Sequence, residues 1–170
     1  MSCRLPPAAR DAAFAEARAA YPREACGVVL GAPDAPETWR FVRMDNLADR
    51  LHALDPVAFP RDARTAYAMD PLKLERMVDQ AVARGEALIA ILHSHPDHPS
   101  YFSATDRAAA APFGLPTYPD AWQGVISVFE GEVCDLKAFV WDGADWAERP
   151  LDGLPPLPGP PPGARIYGEV

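Results

Sequence analysis

The sequence predicts a single mixed α/β (α+β) domain followed by a proline-rich tail, and three observations carry that reading. A capped helical repeat over 71–84 runs directly into a continuous apolar stretch, ALIAILH at 87–93. A helix-forming run over 8–20 stands before a short β-branched stretch at 24–31. Two further strand-like runs, 124–130 and 134–141, are joined around Gly131. A chain of 170 residues, 49% hydrophobic and 24% charged, has the composition of one globular domain.

Each element has a local cause. AARDAAFAEARAA (8–20) is rich in helix formers and is stopped by Pro22. EACGVVLG (24–31) reads as a buried strand ended by Gly31 and Pro33, and WRFVRM (39–44) as a second strand. Residues 46–64 are polar and interrupted by proline, hence a loop, with a short extended piece expected at 65–69. In PLKLERMVDQAVAR (71–84), Leu74, Met77, Val78 and Ala81 recur at helical spacing. Asp70 is placed to cap this helix, Pro71 to start it and Gly85 to end it. ALIAILH has strand length and no polar face, as a strand buried on both sides requires. A loop over 94–102 leads to SATDRAAAA (103–111), a short helix, and Pro116 and Pro119 mark another loop. GVISVFE (124–130) and CDLKAFVW (134–141) form a hairpin, with Trp146 beyond it. From Glu148 onward seven of 23 residues are proline, so the domain is expected over 1–147 and an extended tail over 148–170. The tail reads first as a solvated extension; the alternative is that its end, around Ile166 and Tyr167, docks on a partner or a second copy of the domain.

The net charge of −8 disfavours phosphate backbones and anionic lipid surfaces as partners, so neither nucleic acid nor membrane is expected. No apolar run approaches a membrane span, and the first ten residues lack the apolar core of a signal peptide. Cys3, Cys26 and Cys134 are widely spaced and odd in number, which suits a reduced, cytoplasmic protein without a disulfide framework.

The chemistry concentrates in His93-Ser94-His95 and Ser103-Ala104-Thr105-Asp106. In extended backbone, residues i and i+2 share a face, so both imidazoles can converge on one ion. Two imidazoles and a carboxylate suit Zn²⁺ with one position left for water, and Asp106 is the natural third ligand. Ser-Ala-Thr-Asp is equally an ordinary helix capping box. The two readings are compatible, because a capped helix start holds Asp106 still.

These residues resemble the JAMM/MPN+ metallopeptidases. That family carries an upstream Glu, then His-Ser/Thr-His-Pro, a Ser seven residues further on and an Asp three later. Here the matching positions are Glu24, His93-Ser94-His95-Pro96, Ser103 and Asp106. Looser similarity in YPREACGVVLG, around Asn46, in YAMDP and in LKAFVW extends the resemblance over roughly residues 10 to 147. It implies a compact prokaryotic-type domain, a curved mixed sheet flanked by helices with a metal at a strand end. It further implies that His93, His95 and Asp106 bind one Zn²⁺ with a catalytic water. Glu24 would be the general base and Ser103 a donor to the oxyanion. The substrates implied are peptide or isopeptide bonds beside the Gly-Gly tail of a ubiquitin-like or sulfur-carrier protein.

One departure stands out: many relatives place Pro before the motif Ser, where this chain has Tyr101-Phe102. These two residues, His98 and Asn46 are candidates for the cleft wall or for supporting the ligands. Phe139, Trp141 and Trp146 are expected in packing, Cys26 in the core, and His52 has no assigned partner. The competing class is a non-catalytic scaffold or binding module, which would carry no metal. The His-x-Glu and Pro-Cys-x-x-Cys motifs of a zinc nucleobase deaminase are absent.

Overall fold

The structure, a computed structural model, describes residues 3–164. Its elements in chain order are β1 (Cys3–Arg4), α1 (Pro7–Ala20), β2 (Cys26–Gly31), β3 (Arg40–Met44), α2 (Ala48–Leu54) and α3 (Pro71–Ala83). They continue with β4 (Ala87–Pro96), α4 (Ala104–Ala110), β5 (Trp122–Phe129), β6 (Glu132–Trp141), β7 (Trp146–Arg149) and β8 (Leu151–Asp152). Six strands form one mixed sheet in the order β3-β2-β4-β5-β6-β7, and β1 pairs with β8 in a second, two-stranded ribbon. Only the β4–β5 pair of the large sheet is parallel.

The two faces of the sheet are covered by different helices. Ala9, Ala13, Phe14 and Ala17 of α1 pack against Val29, Leu92, Ile126, Val128 and Leu136. On the other face, Leu74 and Ala81 of α3 meet Cys26, Val28, Leu30, Leu88 and Ile91. Burial on both faces explains why β4 reads as an unbroken apolar run. A bulge on β4 sets which residues face which way. Leu30 pairs with Leu88 but Val29 with Ala90, leaving Ile89 extra. Beyond it, Ile91 faces α3, and by alternation His93 and His95 share its side while Leu92 and Ser94 take the other.

The capped helix forms as its sequence dictates: the Asp70 carboxylate accepts from the Leu72 and Lys73 amides, Pro71 opens α3, and Gly85 leaves it at a φ of 77°. The hairpin turns at Glu130 and Gly131, both at positive φ.

Four features differ from the sequence expectation. The 46–64 segment contains α2, whose start is turned by Asn46 Oδ1 accepting from the Ala48 amide at 3.0 Å. This helix buries only Ala48, so it leaves no apolar stripe to read. The 65–69 piece joins no strand, its backbone being held instead by Asn46 and the Leu47 amide. The β4 strand runs on through Pro96 because β5 continues to pair with it as far as Val128. Finally, the change in composition at Glu148 is not a break in structure. The β7 strand crosses it to pair with β6, and β8 closes on β1. Leu151, Leu154 and Leu157 pack against the α1-side core, and the Gly159 amide donates to the Cys134 carbonyl at 2.9 Å. Ile166 and Tyr167, the suggested docking residues, lie outside the described residues.

Truncation after Arg149 therefore removes half of a strand pair and three half-buried leucines. We expect it to lower unfolding stability by about 3 kcal/mol or more, at roughly 1 kcal/mol per partly buried leucine, read as a lower urea midpoint. An unchanged midpoint would show that residues 150–164 add nothing to the core.

Candidate active site

At the end of β4, the Nε2 atoms of His93 and His95 lie 3.2 Å apart. Asp106 Oδ1 is 3.4 Å from His93 Nε2, and Asp106 Oδ2 is 3.3 Å from His95 Nε2. Each residue thus offers one ligand atom, all within 4.8 Å of one another, and all three residues are buried. Among the described residues this is the one His/Cys/Asp/Glu group of that kind.

The surrounding contacts fix these side chains. His95 Nδ1–H donates to the Pro99 carbonyl at 3.0 Å, a bond that leaves Nε2 with its lone pair free for a cation. Tyr67 stacks on the His93 ring with centroids 4.4 Å apart, and Tyr101 meets the His95 ring edge-on. Asp106 is held by a reciprocal capping box: its amide donates to Ser103 Oγ at 3.0 Å and its Oδ2 accepts from the Ser103 amide at 2.9 Å. The cap and the ligand geometry coexist at one residue. Burial works against the Asp106 carboxylate, but the adjoining His93 and His95 imidazoles prevail and hold its pKa well below the usual range.

The loop between the histidines and Asp106 is tied down at several points. Asp97, at a φ of 56°, donates its amide to Val128 and accepts from the Tyr21 hydroxyl at 2.8 Å. The Ser127 hydroxyl donates to the His98 carbonyl, and Ser100 donates to Asp135. His98 itself folds back through Nδ1 onto the Pro96 carbonyl at 2.6 Å. Phe102 turns into the core, stacking on Phe139 and meeting Trp146 edge-on, so its role there is packing behind His93 and not lining the cleft.

Glu24 is carried to the same place by the strand beside β4. Ser94, fully buried between the histidines, accepts the Ala25 amide on its Oγ at 2.7 Å and donates its own amide to the Ala25 carbonyl. Asn46 Nδ2 donates to the Glu24 carbonyl at 3.0 Å, and the Glu24 amide donates to Ala63. The Glu24 side chain is 6% exposed, and its Oε2 has no hydrogen-bond partner. Burial, reinforced by the Asp106 charge and opposed by Arg61, pushes its carboxyl well above the ordinary glutamate range. A carboxyl whose folded pKa is raised binds its proton more tightly in the native state, so stability falls as pH climbs from the unfolded value towards the folded one. Glu24→Gln should accordingly stabilise the metal-free protein at neutral pH, by on the order of 1–3 kcal/mol, relative to wild type. Equal midpoints at pH 7 would contradict this burial penalty.

Glu24, His95, His98, Tyr101, Ser103 and Asp106 line one cleft of about 290 Å³. Arg61, Arg64 and Thr65 complete its wall from the segment after α2, and sequence reading did not single them out. Nothing local distinguishes these loop arginines from others. Tyr67 lies in the YAMDP stretch, but its stacking on His93 depends on α3 folding against the sheet. Outside the cleft, His52 holds its own loop through the Phe59 carbonyl, and the Cys26 thiol is buried and pushed up to about 12.

The donor set suits a divalent metal: two imidazole nitrogens and an ionised carboxylate converge, with at least one tautomer already set. A protonatable carboxyl lies across the cleft. Such an arrangement can activate water for hydrolysis.

Comparison with known proteins agrees with this geometry. A family model described as prokaryotic homologs of the JAB domain matches residues 6–137. The chain is 26% identical over 144 residues to a desampylase of Haloferax volcanii, covering 82% of this chain and 88% of that protein. A solution structure from Desulfitobacterium hafniense superposes with a TM-score of 0.63 at 23% identity, covering 88% of this chain and 90% of that one. A second, from Salinibacter ruber, gives 0.52 at 22% identity over 96% and 95%. These two likenesses concern the fold. No helix among the described residues is long and apolar enough to cross a membrane.

Proposed function

This chain belongs to the prokaryotic homologs of the JAB domain, and from that premise we propose that it is a zinc-dependent peptidase. Its substrate would be a ubiquitin-like or sulfur-carrier protein, cut beside the Gly-Gly tail. The observation that carries the reading is the meeting in one cleft of Glu24 with His95 and Asp106, two members of the His93-His95-Asp106 cluster, from three separate stretches of chain. The similarity to a desampylase supports a hydrolase acting on a modifier of this general kind. A non-catalytic scaffold has no need of a buried, partnerless carboxyl facing an intact ligand triad.

His93 and His95 through Nε2, with Asp106, would hold the metal. A zinc ion there would supply Lewis acidity to a water and to the scissile carbonyl. Glu24 takes the proton of the attacking water at its carboxylate and passes it to the leaving amine. Its burial suits both halves of that task, because a raised pKa makes it a competent acid once protonated. The Ser103 hydroxyl accepts from the Asp106 amide and so has its own hydrogen free to donate to the developing oxyanion. Tyr101 covers His95, while Asn46 and Ser94 position the Glu24 backbone. A glycine pair in the substrate suits a narrow cleft, since it passes where side chains would clash.

Chelation tests the reading. Treatment with a chelator should abolish cleavage of a carrier protein extended beyond its Gly-Gly, and one equivalent of Zn²⁺ should restore it. Activity that survives complete metal removal would overturn the proposal.

A further inference from the structure

The cleft carries two basic side chains that the reaction above does not use. Arg61 and Arg64 are exposed, both line the cleft with Glu24 and Asp106, and neither side chain has an ion-pair or hydrogen-bond partner among the described residues. Arg4, Arg50 and Arg76 likewise have no such partner among the described residues, but none of them lines this cleft. Arg10, Arg18, Arg23, Arg40, Arg43, Arg84 and Arg107 all pair with carboxylates. Acidic residues outnumber basic ones 24 to 16, so free carboxylates are plentiful. The nearest in sequence, Asp62, accepts from the Arg64 backbone amide. Of the cleft's own carboxylates, Asp106 is committed to the histidines and Glu24 is buried at the back.

The backbone beneath the two arginines is held firmly. The Ala63 amide donates to Asp49 Oδ1 at 2.8 Å, the Ala63 carbonyl accepts the Glu24 amide, and the Thr65 amide donates to the Asp62 carbonyl. Two guanidinium groups are therefore presented from a braced turn, one residue pair apart on either side of a buried alanine. Guanidinium is shaped for a bidentate grip on a planar anion. The cleft volume, about 290 Å³, corresponds to roughly ten waters and so to one or two peptide residues.

We propose that Arg61 and Arg64 form a carboxylate-binding subsite, which selects substrates carrying a carboxylate within a residue or two of the scissile bond. A linear chain end has such a carboxylate after a short extension, whereas a lysine isopeptide has none fixed there. This deepens the peptidase reading and rests on it. The carboxylate can come from the chain end or from an acidic side chain, and the two sources are experimentally separable.

The test is a binding measurement on the Glu24→Gln chain, with and without zinc. Three fluorescein-labelled peptides are used: one ending Gly-Gly-Ala with a free carboxylate, its C-terminal amide, and an amidated Gly-Gly-Asp peptide. The free-acid peptide should bind about tenfold more tightly than its amide, the scale of one charge-assisted contact, and the preference should shrink in high salt. In the Arg61→Gln/Arg64→Gln double variant the ratio should fall to about one. Preference for the free acid alone assigns the subsite to a chain end. Equal tightness of the amidated Asp peptide keeps the subsite but assigns it to an acidic side chain. Equal binding of all three peptides, no binding of any, or a preference that survives in the double variant overturns it. None of these readouts requires hydrolysis. Failure of the peptidase reading is seen separately, as a wild-type chain that cuts no carrier.

Discussion

Glu24→Gln is expected to lower kcat on an extended carrier protein by about 10²–10⁴ while metal content stays at the wild-type level. The expectation follows from where Glu24 sits. Its side chain is buried and lines the cleft, but it is not one of the three groups whose ligand atoms lie within 4.8 Å of one another. Glutamine keeps the shape and the backbone contacts to Asn46 and Ala63, so the fold and the ligand cluster persist. What is lost is, among the described residues, the only carboxylate lining the cleft that is not committed to the histidines. Because the substitution also removes the burial penalty of the carboxylate, the metal-free variant should be the more stable protein at neutral pH. That pairing of lost turnover with gained stability separates a catalytic carboxylate from a merely structural one. Equal turnover in variant and wild type would remove Glu24 from the mechanism.

His95→Ala should remove stoichiometric metal and with it activity. An outer partner of a metal ligand typically contributes 10–100-fold to affinity, and a direct ligand should exceed that. His95 is well suited to the comparison because its neighbours tell the two roles apart. Substitution of Tyr101, whose ring meets the His95 ring edge-on, should weaken the metal modestly, whereas loss of the imidazole should empty the site. Metal analysis after dialysis reads both. Full zinc retention in His95→Ala would mean that the ion sits elsewhere.

Much of this site was legible before any coordinates. The i, i+2 spacing of His93 and His95 requires only that β4 continue through them, and the Ser103 and Asp106 box requires only a local helix start. Both signals are short-range. The capped α3 was legible for the same reason. What local pattern could not supply was pairing across distance. The β7 and β8 strands exist because β6 and β1 are there to receive them, and proline-rich composition concealed that. The short α2 helix buries too little to show a stripe. For Phe102 the place before Ser103 leaves both the cleft wall and support of the ligands open, and Phe139 and Trp146 draw it into the core behind His93. Arg61 and Arg64 reach the cleft because Ala63 is pinned by Asp49 and Glu24, a tertiary arrangement with no sequence signature.

The central claim is that this cleft cuts a carrier protein beside its Gly-Gly tail, and the mass of the product tests it most directly. A ubiquitin-like carrier with a short linear extension is incubated with the zinc-loaded chain and weighed intact by mass spectrometry. The account predicts one product, shortened by the mass of the extension and ending in Gly-Gly, formed by wild type and not by Glu24→Gln. A carrier of unchanged mass, or one cut at some other bond, would contradict it.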